Sequence, residues 1–598
     1  MQSMLVSRRD LDFLLYDWLR VDELTKRERF AEHSRDTFDA VLDLCEQLAD
    51  RYFANHNKKA DAHEPTFDGR RVTVIPEIKE ALDAVARADL IAMTMEHRLG
   101  GAQLPATVAQ AAFGMFAAAN ISTSGYLMLT MANANLLAAF GTDEQVETFV
   151  APMLAGRFSG TMALSETQAG SSLADITTRA EPRPDGTYRL FGSKMWISGA
   201  EHEMTDNIVN LVLAKIPGGP PGTKGISLFI VPKYLVSADG SIGERNDVAL
   251  AGLNHKMGQR GITNTVLNVG DGTYLPGGAP GAVGYLVGEP HRGIAYMFTM
   301  MNEARLGVGM GAVALGYTGY LKSLDYARQR PQGRPITSKD PAAPQIPIID
   351  HADVKRMLLA QKSYVEGGLA LLLYCAHLVD QQHEPESEQE RDRATRLLDI
   401  LTPIAKSWPS QWCLEANSLA IQVHGGYGYS REYDVEQHYR DNRLNPIHEG
   451  THGIQSLDLL GRKVVAGGGA NLFALGEAIG QTVGTARELG GDAADLAQRL
   501  DASWQRLAAV TAGMFGSGDI EAALANSVAY LEALGHIVVA WMWLEQVLAA
   551  HGHTGDFYDG KRHAARFFFR YELPKTAAQL DLLESLDRTT LEMRDSWF

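Results

Sequence analysis

Apolar residues recur at intervals of three and four through LDFLLYDWL, FDAVLDLCEQLADRYF and IKEALDAVARADL, which predicts a helical N-terminal domain over residues 1–160. The pattern then shortens. TYRLFGSKMWISG, NIVNLVLAKI, GISLFIVPKYLV and TNTVLNVG are brief β-rich runs separated by Gly and Pro turns, so 161–285 reads as a central β domain. Helical spacing returns in GIAYMFTMMNEARLGVGMGAVALGYTGYLKSLDYARQR and VKRMLLAQKSYVEGGLALLLYCAHLV, two long antiparallel helices split by a Pro-rich loop. They open a helical bundle over 286–465. VVAGGGAN, near 464–471, reads as a linker, and Ala- and Leu-rich patterns beyond it predict a separate C-terminal helical extension over 466–598. The expected fold is mainly α with one central β domain.

From Leu99 to Thr142 no residue is charged, which raises the question of a membrane span. Gln103, Pro105, Gln110, Asn120, Asn133 and Asn135 interrupt it, and such groups are costly in lipid, so buried core helices are expected and no integral membrane segment. The N-terminal stretch carries charges through every apolar run and so lacks a secretory h-region, which makes a cytoplasmic location the expectation. At 598 residues the chain exceeds one core, and its net charge of -17 argues against nucleic acid as a partner. The three cysteines, Cys45, Cys375 and Cys413, have no pairing or metal-ligand spacing.

Three motifs invite chemistry and fail on context. HEGTH at 448–452 has the spacing of a zinc peptidase helix, but Pro446, Gly450 and Gly453 oppose that helix, each Gly by about 1 kcal/mol relative to Ala. No metal site is expected. Gly307, Gly309 and Gly311 imitate a dinucleotide fingerprint without a preceding strand, so close helix packing is the better reason for them. GPPGTKG lacks the spacing of a phosphate-binding loop.

There remain MALSETQAGSS, KMWISG, RQRPQGRP, QVHGGYGY and RDNRLNPIHEGT. In this order and at these separations they resemble the acyl-CoA dehydrogenase family over roughly 80–465. The resemblance implies a helical N-terminal domain, a β-barrel or sandwich middle domain and a four-helix bundle, with FAD as cofactor. It assigns Met162, Leu164 and Ser165 to the flavin ring, Ser171 to the acyl-CoA, Trp196 to the ring's flank and Ser198 to the flavin or its phosphate. Thr167 and Ser172 stand where the family usually has Pro and Asp. Arg330 matches the Arg that contacts the FAD pyrophosphate across a subunit interface. Gln422, Gly425 and Gly426 match the segment reaching the adenosine half, so a homo-oligomer, dimer or higher, is implied. Arg305 corresponds to the family Arg near the acyl-CoA.

IHEGT resembles the family's IYEGT, which makes Glu449 the catalytic base and Thr451 a further FAD contact, with His448 in place of Tyr. In some branches the base precedes the Arg of the earlier helix; that position is Ala304 here, and Glu303 is one residue off. The implied reaction is α,β-dehydrogenation of an acyl-CoA thioester, with electrons passing to electron-transfer flavoprotein. The C-terminal extension points to the subgroup with fatty-acyl-CoA and methylmercaptopropionyl-CoA dehydrogenases, the former favoured. An acyl-CoA oxidase and a non-catalytic acyl-CoA-binding protein are the rivals, separable by oxygen consumption and by the presence of Glu449.

Overall fold

The computed structural model describes residues 4–237 and 239–598. Contacts divide the chain into two compact units, one of Asp39–Leu104 and Met115–Gly307, the other of Met1–Phe38, Pro105–Gly114 and Val308–Phe598.

The first of these carries the β domain. Its eight-stranded sheet comprises β1 (Phe158–Ala163), β2 (Arg179–Pro182), β3 (Tyr188–Ser198), β4 (Asn207–Lys215), β5 (Ile226–Pro232), β6 (Val248–Leu253), β7 (Asn264–Val269) and β8 (Ala282–Leu286). The order is β6-β7-β3-β8-β5-β4-β1, and β2 pairs with both β3 and β4, closing β3-β8-β5-β4-β2 into a barrel. Leu190, Val212, Phe229 and Val231 fill it. β1 runs parallel to β4 and is buried along its whole length. A helix, Ile121–Phe140, covers it: Asn133 donates to the carbonyls of Thr161 and Val209, both at 2.9 Å. Gly160 permits that approach, because a Cβ there would lie 2.6 Å from the Asn133 Cβ. Ile121–Phe140 and the helix Ala106–Ala119 together hold most of the uncharged stretch, and both are largely buried.

The second unit is helical. Ala352–His383 and Glu388–His424 pack side by side, and the long helix Gly293–Gln329 meets them at small residues. A Cβ on Gly309 would strike the Ala405 carbonyl, and one on Gly316 would lie 2.8 Å from the Cys413 Cβ. Gly309 and Gly316 of RLGVGMGAVALG therefore serve packing.

Beyond the turn at Gly467, Gly468 and Gly469, all at positive φ, lie the helices Ala470–Leu489, Gly491–Gly516, Ser527–Ala549 and Asp556–Phe567. The extension is helical, as expected, but it is not separate: it shares the core of the bundle. Gly535 lies against Trp408, Gly367 lies against Trp543, and Trp543 Nε1 donates to the Ser363 carbonyl at 3.0 Å. Ser527–Ala549 is apolar and long enough to cross a membrane by composition, yet it is the buried centre of this packing. Lys561, fully buried, pairs with Asp10 and with Glu366 at 2.9 Å, so the N-terminal segment, the bundle and the extension meet at one charge cluster.

Candidate active site

β1 leaves the barrel through Leu164 and Ser165 and doubles back at Thr167–Gln168, where Glu166 and Ala169 exchange two backbone hydrogen bonds of 3.0 Å. Two contacts fasten this exit to β3: Met195 N–H donates to the Ser165 carbonyl at 3.0 Å, and Thr161 Oγ1 donates to the Ser198 carbonyl at 2.6 Å. Met162, Leu164, Ser165, Trp196 and Ser198 are thus brought together where the exit of β1 meets the end of β3. Ser171 lies exposed farther along the same loop.

Trp196 stands out. The register of β7 on β3 shifts between Thr265↔Ile197 and Leu267↔Lys194, so one residue of β7 opposes two of β3. At this bulge Trp196 adopts φ +65°, a left-handed conformation that costs a non-Gly residue about 1–3 kcal/mol. The strain turns the indole outward, where it is 59% exposed, while Lys194 and Ile197 on either side are buried. A large exposed ring on a strained bulge, beside the free end of a buried strand, fits a planar ligand such as an isoalloxazine. Ser198 Oγ accepts from Asn264 at 3.2 Å.

Under this surface lies an ion pair that sequence reading missed. Glu166 and Lys194 meet at 3.0 Å, both buried. Burial alone would raise the Glu166 carboxyl, but Lys194 and two threonines hold it at about 2. Burial lowers Lys194 to about 8 against the pull of Glu166. Both are ionised at neutral pH. SETQ and KMWIS had shown a Glu and a Lys, without a sign that the two meet.

In the helical unit, the helix Glu388–His424 stops at Gly425, φ +62°, and the chain turns through Gly426. A cavity of about 950 Å³ opens there, lined by Tyr326, Arg330, His424, Gly425, Gly426 and Tyr427 among others. A Cβ on Gly425 or Gly426 would meet nothing within 4 Å, so bare backbone faces open space. Gln422 is exposed one helical turn earlier. The Arg330 guanidinium lies 5.6 Å from the Tyr427 ring centre, and Tyr326 stacks on His424 at 4.3 Å. A cation, accessible backbone and aromatic walls suit a nucleotide diphosphate. The walls escaped the sequence reading, although Tyr326 precedes Arg330 by one helical turn and His424 lies inside QVHGGYGY.

Glu449 sits in the same unit on a turn, not on a helix. It is half-buried with φ +53°, followed by Gly450 at φ +92°. Gln455 Nε2 donates to the Glu449 carbonyl at 2.8 Å, and Lys406 Nζ to the Gly450 carbonyl at 2.6 Å. Thr451 caps the next helix, His452–Asp458, by accepting from Ile454 N–H. His448 contacts Asn445 Oδ1 at 3.0 Å, and burial with the nearby Lys406 charge lowers it to about 3. His448 and His452 therefore do not share a helix, so the zinc-peptidase geometry is missing, and no group of three or more metal-ligating side chains occurs among the described residues.

Arg305 is buried within Gly293–Gln329. Two residues earlier, Glu303 keeps access to solvent, yet the protein around it desolvates its carboxyl and pushes it up to about 7, opposed by the 3.0 Å hydrogen bond from Asn135.

The chain matches four family models: "Acyl-CoA dehydrogenase, N-terminal domain" at 35–157, "middle domain" at 161–268, "C-terminal domain" at 291–464, and "Acetyl-CoA dehydrogenase C-terminal like" at 475–594. It is 34% identical to a 3-methylmercaptopropionyl-CoA dehydrogenase of Ruegeria pomeroyi, over 94% of this chain and 95% of that one. It is 33% identical to the broad-specificity linear acyl-CoA dehydrogenase FadE5 of Mycobacterium tuberculosis, over 99% of each. Among solved structures, Caenorhabditis elegans ACDH-11 in complex with C11-CoA shares the fold at a TM-score of 0.75, with 18% identity over 99% of this chain and 91% of that one. The chain belongs to the acyl-CoA dehydrogenase family of FAD-dependent oxidoreductases.

Proposed function

We propose that this enzyme oxidises a linear acyl-CoA thioester to the trans-2-enoyl-CoA, with Glu449 as the base that takes the α-proton. The observation that carries the assignment is the pinned, strained turn holding Glu449, since strain maintained by Gln455 and Lys406 is what fixing one carboxylate requires. An α-proton of a thioester is weakly acidic, so the base must be fixed and shielded from water. His448, neutral beside it, adds no competing charge. FAD supplies the acceptor for the hydride leaving the β-carbon. Leu164, Met162, Ser165 and Trp196 would hold its ring, and Ser198 the flavin or its phosphate. Arg330, Gln422, Gly425 and Gly426 would hold a pyrophosphate and adenosine, and Thr451 is a further contact. Ser171 and Arg305 are assigned to the acyl-CoA.

If the cavity at Arg330 receives the cofactor of a second copy, the working form is a homodimer or larger. Electron-transfer flavoprotein is the electron acceptor and the cytoplasm the location in this reading. The work divides along the chain among 1–160, 161–285, 286–465 and 466–598, with the base in the third segment.

A fatty acyl-CoA undergoing β-oxidation is the favoured substrate, supported by the FadE5 relative named for linear acyl-CoA. The Ruegeria relative supports a second reading, 3-methylmercaptopropionyl-CoA, an unbranched chain with one sulfur. Anaerobic bleaching of the bound flavin by thioesters of graded length, with the sulfur compound in the series, separates the two. Glu449→Gln should keep FAD and its colour while turnover falls by about three orders of magnitude or more. Near-normal turnover would remove Glu449 from the mechanism and turn attention to Glu303.

A further inference from the structure

The Glu166–Lys194 pair has more partners than a core ion pair needs for neutrality. Glu166 Oε2 accepts from Thr177 N–H and Oγ1, both at 2.7 Å, and from Gln168 at 2.9 Å. Its Oε1 accepts from Thr178 N–H at 3.0 Å, Thr178 Oγ1 at 2.6 Å and Lys194 at 3.0 Å. The carboxylate is thereby fixed in place. Lys194 spends a second proton on the Leu164 carbonyl, at 3.0 Å.

That carbonyl belongs to the peptide whose other end is the Ser165 N–H. An amide whose oxygen accepts from a cation is polarised and becomes a stronger donor at its nitrogen, and the effect is larger where the dielectric is low. Lys194 is fully buried, so its charge is little screened there. The same side chain stands at the edge of the bulge that turns Trp196 outward. One side chain therefore links both segments assigned to the ring, rooted in the strand that carries Trp196 and ending on the Leu164 carbonyl.

We propose that Lys194, held by Glu166, is a positioning residue for the flavin: it fixes the Leu164–Ser165 peptide and the Trp196 bulge, and through that peptide favours the reduced, more electron-rich ring. The proposal rests on the reading that Met162–Ser165 and Trp196–Ser198 border the isoalloxazine. A salt bridge serving only the barrel would support folding and nothing else.

The test uses the FAD-loaded enzyme and three measurements: the dissociation constant for FAD, the flavin reduction potential, and the melting temperature of the apoprotein. Lys194→Met should weaken FAD about tenfold to a hundredfold, the worth of a charge-assisted hydrogen bond, and move the potential to more negative values. Lys194→Arg should restore most of both. Should Lys194→Met fail to fold, the double variant Glu166→Gln/Lys194→Met removes both charges, leaves no unpaired buried ion and should show the same shift. A lowered melting temperature with wild-type FAD affinity and potential in any folded variant lacking the ammonium would overturn the proposal. Wild-type protein that binds no FAD would instead overturn the placement of the flavin itself, so the two failures are distinguishable.

Discussion

At the scale of single residues, glycine and histidine carry opposite lessons. Gly309 was read from sequence as a packing residue, and the Ala405 carbonyl occupies the space its side chain would need. Gly309→Ala should therefore destabilise the protein by about 1–3 kcal/mol, because backbone cannot retreat as a flexible side chain can. Denaturant unfolding of the variant against wild type checks this. His448 replaces the family tyrosine, and the substitution by itself gives no charge state. Burial and Lys406 hold it near 3, so it stays neutral throughout the working range. His448→Phe should leave the apparent pKa values of the kcat/KM profile unmoved between about pH 5 and 9. A shift in the acid limb would show that the imidazole titrates with the base.

At the scale of elements, regular periodicity was legible and local exceptions were not. Helices such as Arg35–Leu48 and Pro76–Arg87 follow from spacing, since burial of one face imposes it, and β4, buried on both faces, follows from its short apolar run. The closure of the barrel by the short strand β2 rests on one parallel pair, Arg179↔Lys215, and no local pattern announces it. The bulge at Trp196 is likewise a property of the pairing of β3 with β7, which lie far apart in sequence. HEGTH was ambiguous as letters, and the capped start at Thr451 decides it: the Glu lies before the helix. Thr451→Ala should cost about 1 kcal/mol of local stability by loss of the cap. Because the Glu449 turn feeds directly into that cap, hydrogen exchange should quicken at Ile454 N–H and through His452–Asp458. Thr451→Ser should retain protection.

At the scale of the whole molecule, the surprise is how the C-terminal extension is used. Its helical pattern was plain, but the apolar faces of Ser527–Ala549 could not reveal which surface they cover. The answer lies in pairs such as Gly367 with Trp543 and Gly535 with Trp408. Lys561→Met would leave the Asp10 carboxylate buried without its cation, while Glu366 keeps Lys362, a change that costs about 3–5 kcal/mol. A chain ending before the extension should be insoluble for the same reason, since the bundle face around Ser363 and Trp408 would be bare.

Acid should weaken the protein earlier than its carboxylates alone would require. Burial lowers His202 to about 3, with Lys233 adding to the effect, and lowers His536 to about 4 against the opposing hydrogen bond that its ring donates to the Glu532 carbonyl. In the unfolded chain both revert to the ordinary value of 6.5. Below that value the unfolded state binds protons that the folded state refuses, so stability declines as pH falls from 6.5 toward 4 and then 3. Above it, neither group contributes a slope. Melting temperatures in a series of buffers should therefore begin to drop near pH 6, before the ordinary carboxylates titrate, with Glu303, raised to about 7, opposing part of the decline. His202→Gln in the β-domain unit and His536→Gln in the helical unit should each flatten part of that decline. An acid limb that starts only near pH 4 would mean that the two imidazoles are charged, or hydrated, in the native state.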